Sequence, residues 1–304
     1  MNLEKRRIIL RLLKEKTTRR WMSTFTFLVC ILFLLIFLSL LVESTLLLSK
    51  YSLKELLFSS KWNPEKYSFG FLPAIIGTIY VTILSMVLAT PIAVLSAIYI
   101  SEFASSQKRI LISSFIDILA GIPSVVFGVC ALLVLVPLVS NYIGPLIGVE
   151  TTGMCIFTAS LVLSVMVLPV IISLSTESLK SLPVELREAS LSLGATKWET
   201  IKKVLLKGAA PGIFSAILLG FGRAFGETMA VAMVIGGKNQ IPSSPFSAGQ
   251  TLPSLIVSSF GEMMSIPIEQ SALAFAALQL FFVVTIFNFL ARWIKIKLKK
   301  RWGV

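Results

Sequence analysis

Residues 183–199 read Pro183-Val-Glu-Leu-Arg-Glu-Ala-Ser-Leu-Ser-Leu-Gly-Ala-Thr-Lys-Trp-Glu199, and this short polar stretch lies between two long apolar ones. Much of the rest of the chain consists of hydrophobic segments of membrane length. A charged, helix-forming segment between two membrane spans lies in water, where its apolar side chains need a partner. The stretch therefore predicts that the protein works with another chain at the membrane surface.

The apolar segments set the fold class. The chain has 304 residues, of which 56% are hydrophobic and 14% charged. Apolar runs longer than about 18 residues are typical of transmembrane helices, because a helix satisfies its own backbone hydrogen bonds in lipid. We therefore predict an all-α membrane protein with six transmembrane helices. Their approximate bounds are 22–48, 73–101, 110–139, 153–175, 211–236 and 269–294.

The distribution of basic residues sets the orientation. With the N-terminus in the cytoplasm, 22 of the 28 Lys and Arg residues fall on the cytoplasmic side and five on the outer side, and Arg223 lies inside a span. Basic residues are enriched in cytoplasmic loops, so both termini are predicted to be cytoplasmic. Because the charges lie at the ends of apolar segments, the net charge of +13 indicates contact with membrane lipid, and no nucleic-acid partner is expected.

This orientation divides the chain into five segments. They are a basic cytoplasmic N-terminus at 1–20, a first transmembrane helix at 21–50, an extracytoplasmic loop at 51–72, a five-helix core at 73–294 with a cytoplasmic loop at 176–210, and a basic cytoplasmic tail at 295–304. The outer loop contains no apolar run, and an ordinary connection is a simpler interpretation of it than a partner-binding surface.

Several kinds of site are absent from the sequence. There is no His, and Cys30, Cys130 and Cys155 lie within apolar stretches without a CxxC spacing. A zinc site, a disulfide framework and His-based acid–base catalysis are therefore not expected. A P-loop for nucleotide phosphates is missing as well, since Gly237-Lys238 is followed by Asn239. We expect a chain that is not an enzyme and holds no cofactor itself.

The third predicted span is interrupted by Gly121-Ile-Pro-Ser124. Proline removes a backbone donor and tends to kink or break a helix. A broken helix is tolerated in a membrane where it lines a cavity or packs against protein. Two interpretations therefore stay open for this site, a cavity wall and a simple packing kink.

The polar stretch itself predicts two short helices around a turn. Pro183 suits a first helical turn, Gly194 suits a helix C-terminus, and Thr196 followed by Glu199 is a capping-box pattern. The first helix carries charged residues beside apolar ones, and so it is amphipathic. It could insert into a groove on another protein or lie on the lipid surface.

Two charged residues, Arg223 and Glu227, lie in the fifth predicted span. They are four residues apart, so on a continuous helix they share a face and can pair. Charged residues inside a membrane usually face the bundle interior or a water-filled path, and the planar fork of Arg fits phosphate oxygens. With the hydroxyl of Thr228, they form a candidate anion path in which Glu227 weakens the positive charge. The alternative is a structural ion pair beside the GxxxG of Gly222 and Gly226.

The polar stretch resembles a loop found in ABC-importer permeases. Glu188-Ala189-Ser190 followed by Gly194 is similar to the EAA loop, and Val204 and Leu206 match its later aliphatic positions. Ser190 stands where the family has a second Ala, and Lys207 stands where it has Pro. The resemblance implies a type I ABC-importer permease fold in which Glu188, Ala189, Ser190 and Gly194 belong to a coupling helix that docks on an ATPase subunit.

A second string narrows the resemblance. Residues 221–231, Phe-Gly-Arg-Ala-Phe-Gly-Glu-Thr-Met-Ala-Val, are similar to the PstC family of phosphate-transporter permeases, as are the stretches 71–78 and 120–128. This implies one permease subunit of an ATP-driven phosphate importer in the cell membrane of a bacterium or archaeon. The implied partners are a second, PstA-like permease, two ATPase subunits that bind ATP and Mg, and an extracytoplasmic phosphate-binding protein.

Other functions remain open from the residues alone. The fork of Arg223 does not distinguish phosphate from sulfate, molybdate or phosphonate. A passive anion channel would leave the coupling segment unexplained, because a channel needs no ATPase. A membrane enzyme would need a catalytic constellation, and the sequence has no His and no clustered carboxylates to supply one.

Overall fold

The computed structural model describes the backbone of residues 3–302 and the side chains of residues 14–297. The predicted basic segments at 1–20 and 295–304 therefore lie partly outside the described residues. Most of the described chain is helical. The helices are α1 (Leu3–Glu43), α2 (Thr45–Lys50), α3 (Leu53–Phe58), α4 (Leu72–Ile98), α5 (Ser106–Gly121), α6 (Ser124–Cys130), α7 (Val136–Leu138), α8 (Gly144–Ile147), α9 (Ile156–Lys180), α10 (Val184–Ser192), α11 (Lys197–Thr200), α12 (Leu206–Gly226), α13 (Met229–Val234), α14 (Leu252–Met263) and α15 (Pro267–Trp302).

Short elements complete the fold. The strands β1 (Trp62–Asn63) and β2 (Ser68–Phe69) form an antiparallel hairpin in the first loop, with Trp62 opposite Phe69. Single π-helical turns extend or join several helices. They lie at Tyr99–Phe103, Ala131–Leu135, Val139–Ile143 and Ile201–Leu205.

Six segments of the described chain are long and apolar enough to cross a membrane, which confirms the predicted fold class. They are Lys14–Lys50, Leu72–Phe103, Ser124–Ile147, Ile156–Lys180, Lys197–Gly226 and Pro267–Lys297. Their hydropathy places them in lipid, where a helix is the form that pairs its own backbone groups. The chain is therefore a multi-pass membrane protein.

The third span differs in its bounds from the sequence prediction. The predicted break is confirmed, since α5 ends at Gly121 and α6 begins at Ser124. Ile122 and Pro123 between them have extended backbone angles, so the chain makes two helices where one continuous helix from 110 to 139 was expected. The apolar span runs instead from Ser124 to Ile147, and α5 forms a separate helix that packs against α9.

α9 lies at the centre of the bundle. Sixty-seven per cent of its apolar window is buried, whereas none of the window of the first span is. α4 packs along it through small residues, and Ala89, Ala93 and Ala97 are fully buried. Such residues, spaced four apart, let helices approach closely in a membrane.

α12 packs against α9 through glycines. A Cβ atom added at Gly212 would come within 2.6 Å of the Ser178 Cβ, and one added at Gly220 would come within 2.8 Å of the Ile171 Cδ1. Only glycine fits these two positions without a shift of the neighbouring side chains. α4, α9 and α12 therefore form a tightly packed centre.

The N-terminal helix packs on the C-terminal one at the edge of the bundle. The rings of Phe37 and Phe281 lie 5.2 Å apart. Ser271 of α15 accepts a hydrogen bond from the Leu47 N–H (3.0 Å) and donates one to the Glu43 carbonyl (2.7 Å). These contacts hold α1 and α2 against α15, while most apolar side chains of α1 remain exposed.

The bundle has two distinct ends. At one, which we call the loop end, the turn Tyr99–Phe103 lies beside the end of α9 and beside α10. At the opposite end, the N–H of Phe157 donates to the Pro245 carbonyl (2.7 Å) and that of Ile156 to the Ser247 carbonyl (3.2 Å). These bonds fix the loop between α13 and α14 over the start of α9.

Candidate functional site

The fifth span is broken at the residues predicted to form the anion path. α12 ends at Gly226, Glu227 has extended backbone angles (φ −70°, ψ 123°), and α13 begins at Met229. The Thr228 hydroxyl donates to the Gly226 carbonyl (3.1 Å), and the Glu227 Oε1 accepts a hydrogen bond from the Ala230 N–H (3.4 Å). These side chains satisfy part of the backbone that the break releases.

The break overturns the predicted Arg223–Glu227 pair. Within the described residues, Arg223 forms no ion pair and no hydrogen bond to a protein group. The expectation of a pair assumed a continuous helix, in which residues four apart share a face. Because the helix ends between them, the Glu227 carboxylate turns toward the start of α13. The guanidinium of Arg223 is left half-buried and unpaired.

The depth of Arg223 follows from its neighbours. Gly220 packs against Ile171, which lies 15 residues after the start of α9 and nine before its end. α9 is about 37 Å long at 1.5 Å per residue, and Arg223 lies about 4.5 Å beyond Gly220 toward the opposite end. Arg223 therefore lies close to the midpoint of α9, about as far as possible from either end of the bundle.

Glu227 lines a small polar cavity between this midpoint and the start of α9. Thr78 and Thr82 of α4 and Thr251 line it as well, beside apolar side chains of α9 and α12. Its volume is about 10 Å³, which is close to the space that one water molecule occupies. In this conformation the cavity is too small for an oxyanion, and so the break is closed on the side that faces α4.

The two glycines beside Arg223 face open space. Among the described residues, a Cβ atom added at Gly222 or Gly226 would meet no atom within 4 Å outside its own stretch of helix. The GxxxG interpretation is therefore wrong for packing inside the chain, where Gly212 and Gly220 make the close helix contacts. The unpaired Arg223 lies beside an uncovered stretch of α12.

The predicted coupling helix is α10, at the loop end. None of its residues is buried, and its apolar side chains are open to solvent, with Leu191 50% and Val184 59% exposed. Leu193, just after the helix, is 89% exposed. An apolar surface of this kind on a charged helix is typical of a segment that a partner covers.

The end of α10 has the predicted glycine turn. Gly194 has φ +83°, its N–H donates to the Leu191 carbonyl (2.9 Å), and the Ala195 N–H donates to the Ser190 carbonyl (3.3 Å). This pair of bonds is a Schellman motif, which favours glycine at the left-handed position. Glu188, Ala189 and Gly194 are exposed, while the Ser190 hydroxyl lies 2.9 Å from that of Thr200.

The second helix of the insert is the start of the fifth span. The predicted capping box is present, because the Thr196 Oγ1 accepts from the Glu199 N–H (3.3 Å) and the Glu199 carboxylate accepts from the Thr196 N–H (3.1 Å). α11 then continues through the turn Ile201–Leu205 into α12. The loop is therefore directly continuous with the helix that carries Arg223.

The sequence prediction missed an ion pair at the loop end. Arg187 donates from Nη2 to Glu102 Oε1 (2.9 Å) and from Nε to Glu102 Oε2 (3.3 Å), and it also donates to the carbonyls of Leu179 (2.9 Å) and Leu182 (3.1 Å). The partners are 85 residues apart in the chain, and no local pattern connects them. The position of Glu102 at the end of a span was the one available signal.

A second polar feature lies nearby. Asp117, Glu177 and Lys180, together with the Thr176 hydroxyl, line a cavity of about 250 Å³ between α5 and α9. The Thr176 oxygen is buried and has no hydrogen-bond partner. No local pattern in the sequence indicates this cavity, because its lining comes from segments far apart in the chain.

Comparison with known proteins places the chain in a family. The family described as "Binding-protein-dependent transport system inner membrane component" matches residues 89–302. The chain is 39% identical to the probable ABC transporter permease protein YqgH of Bacillus subtilis, over 81% of this chain and 78% of that one. It is 35% identical to the phosphate transport system permease protein PstC of Xylella fastidiosa (81% and 80% covered) and 32% identical to PstC of Haemophilus influenzae (95% of each).

Solved structures agree on the fold. The chain superposes on a chain of the bacterial alginate ABC transporter, in complex with its alginate pentasaccharide-bound periplasmic protein, with a TM-score of 0.58 and 18% identity over 92% of this chain and 97% of that one. It superposes on a chain of the inward-facing MetNI methionine ABC transporter with a TM-score of 0.53 and 20% identity, over 75% and 94% of the two chains. The fold is that of a type I ABC-importer permease, and the chain belongs to the family of inner membrane components of binding-protein-dependent transport systems, within which it is similar to the PstC phosphate permeases.

Proposed function

We propose that this chain is the permease subunit of an ATP-driven phosphate importer and that Arg223 contacts the anion on its way across the membrane. The observation that carries the proposal is the unpaired guanidinium near the middle of the bundle, beside a broken helix. The relatives described as phosphate permeases support the substrate.

The charge of Arg223 needs a partner that the described part of the chain does not supply. A charged side chain at the centre of a membrane costs about 2.5–3.5 kcal/mol even on the more lenient insertion scale. Water in a translocation path, or an anion within it, offsets that cost. A guanidinium presents five N–H donors in a plane, which suits the oxygens of a tetrahedral oxyanion.

Release is as necessary as binding in a transporter. The Glu227 carboxylate follows Arg223 across the break and lies beside Thr78 and Thr82 of α4. Its negative charge near the path opposes tight retention of an anion. Because α12 and α13 are separate helices, α13 can move relative to Arg223 without the loss of helical hydrogen bonds, as alternating access requires.

The exposed surface of α10 supports the expected partners. We place the loop end in the cytoplasm, where Leu191, Leu193 and Glu188 would dock on an ATPase subunit. Two such subunits would bind ATP and Mg and perform the hydrolysis, so the permease itself needs no catalytic site. A PstA-like second permease would cover the open side of α12, and a phosphate-binding protein would dock on the extracytoplasmic side.

Phosphate uptake by the Arg223→Gln variant tests the proposal. We expect uptake to fall roughly tenfold to a hundredfold, because a charge-assisted hydrogen bond contributes about 1.5–3 kcal/mol. Arg223→Lys is the matched control, since it keeps the charge and loses the fork, and it should retain part of the uptake. ATPase subunits must still co-purify with both variants. Normal uptake by Arg223→Gln would contradict the role of this residue.

The same assay separates the alternatives. Competition with sulfate, molybdate or phosphonate would identify another oxyanion as the substrate. Phosphate entry that continues without ATP and never exceeds the outside concentration would indicate a passive channel. A phosphate importer should accumulate phosphate only with ATP and should be inhibited weakly by the other oxyanions.

A further inference from the structure

Arg187 joins three elements at the loop end. It lies on α10, its guanidinium holds the Glu102 carboxylate through two hydrogen bonds, and it donates to the carbonyls of Leu179 and Leu182 at the end of α9. The side chains of Arg187 and Glu102 are 22% and 9% exposed. A bidentate pair that is largely shielded from water is stiffer and less screened by salt than a surface pair.

α10 has few other attachments to the bundle. None of its residues is buried. Within the described residues, every hydrogen bond between α10 and the segment Leu72–Phe103 comes from Arg187. Arg187 is therefore the hydrogen-bonded link through which a force applied to the exposed face of α10 reaches the α4 segment.

The α4 segment extends from this pair to the proposed anion path. It is helical from Leu72 through the π turn that ends at Phe103, a span of 32 residues, or about 48 Å. Glu102 lies at one end. Near the other end, Thr78 and Thr82 line the small cavity that contains Glu227. One continuous helix thus connects the coupling helix with the break in the fifth span.

We propose that the Arg187–Glu102 ion pair transmits the movement of the docked ATPase from α10 to α4, and thereby to the side of the anion path that α4 closes. Arg187 and Glu102 are positioning residues in this mechanism, because neither lies near the anion. The inference rests on the proposed function, since it needs an ATPase at the loop end and a path beside Glu227.

The test uses the complete transporter reconstituted in lipid vesicles, with ATP hydrolysis and phosphate uptake measured on the same preparation. The variants are Arg187→Gln, Glu102→Gln and the double variant. Lys203→Gln is the matched control, because it breaks the exposed Glu199–Lys203 ion pair in the same loop (3.1 Å) and leaves Arg187 intact.

We expect each single variant to keep hydrolysing ATP while the ratio of phosphate taken up to ATP hydrolysed falls roughly tenfold, within the range over which residues between coupled sites act. The double variant should be no worse than either single one, because both remove the same connection. Lys203→Gln should keep the wild-type ratio. A purely structural pair would lower uptake and hydrolysis together.

Each other outcome also decides the question. An unchanged ratio in both single variants would overturn the inference and leave the proposed function standing. If a single variant loses its ATPase subunits, the double variant decides, because it leaves no uncompensated charge: a reduced ratio supports the inference, and a wild-type ratio or loss of the subunits overturns it. Absence of uptake in the wild type would overturn the proposed function and this inference with it.

Discussion

Two arginines of this chain, Arg187 and Arg223, have opposite surroundings in the same bundle. Arg187 lies at the loop end, and its guanidinium donates to one carboxylate and two carbonyls. Arg223 lies near the middle of the bundle, and it has no partner in the described part of the chain. A satisfied arginine holds elements together, whereas an unsatisfied one in a membrane indicates a path or a ligand.

The largest effect is expected for Arg223→Gln, which should reduce transport without reducing the stability of the chain. Arg223→Gln should lower phosphate uptake roughly tenfold to a hundredfold. The midpoint of thermal unfolding in detergent should stay the same or rise, because the substitution removes no internal bond of the chain. A lower midpoint would show that Arg223 has a structural partner, and the contrast between the two arginines would then be lost.

At the loop end, by contrast, substitution of Arg187 is expected to reduce the stability of the chain. Arg187→Gln leaves the Glu102 carboxylate shielded and uncompensated, so the chain should lose roughly 2–3 kcal/mol of stability, less than the 3–5 kcal/mol for fully buried pairs because Arg187 is partly exposed. Thermal unfolding of the purified protein measures this. Glu102→Gln/Arg187→Gln should recover part of the loss, and a double variant less stable than either single one would contradict the explanation.

A smaller difference in stability is expected between substitutions on the packed side of α12, at Gly212, and on its open side, at Gly222. Gly212→Ala should cost about 1–3 kcal/mol, because the new methyl group overlaps the Ser178 side chain. Gly222→Ala, ten residues later on the same helix, meets no neighbouring element among the described residues and should be neutral or stabilising by up to about 1 kcal/mol.

The assembled transporter sharpens this comparison. If a second permease covers the open side of α12, Gly222→Ala should weaken the complex while the isolated chain keeps its stability. Thermal unfolding of the chain and gel filtration of the complex separate the two effects. If Gly212→Ala and Gly222→Ala destabilise the isolated chain equally, Gly222 must contact another part of the chain, which would contradict the comparison.

The smallest effect is expected for the second ion pair of the loop. Lys203 and Glu199 are 66% and 43% exposed, and surface pairs of this kind often contribute nothing measurable. Lys203→Gln should therefore leave thermal unfolding unchanged. A loss as large as that of Arg187→Gln would mean that exposure does not distinguish the two pairs.

Local patterns predicted a large part of this fold. The length of the apolar runs predicted the six spans, and Pro123 predicted the break in the third. Thr196 with Glu199, and Gly194, predicted the caps of the helices in the polar insert. Each of these rests on neighbours within a few residues, for which sequence is sufficient. The third span was placed too early because apolar residues of α5 made 110–139 read as continuous.

The features that were not predicted depend on contacts between residues far apart in the sequence, or on where a helix ends. Arg187 and Glu102 meet across 85 residues. The break at Glu227 contains no proline, so Arg223 and Glu227 read as an i,i+4 pair on one helix. The residues expected to form the anion path were singled out because charge is rare in a span, but whether they pair depends on where the helix ends.

The hydrogen bonds of Ser271 to Glu43 and Leu47 also bear on how the protein is made. Leu47 and Ser271 are separated by 224 residues, so at a synthesis rate of about 5–20 residues per second the first helix waits roughly ten to forty-five seconds for its partner. During that time α1 must stay in the bilayer without its contacts to α15. A helix most of whose apolar side chains remain exposed even in the finished fold meets that requirement, because it needs no neighbour to stay in the bilayer.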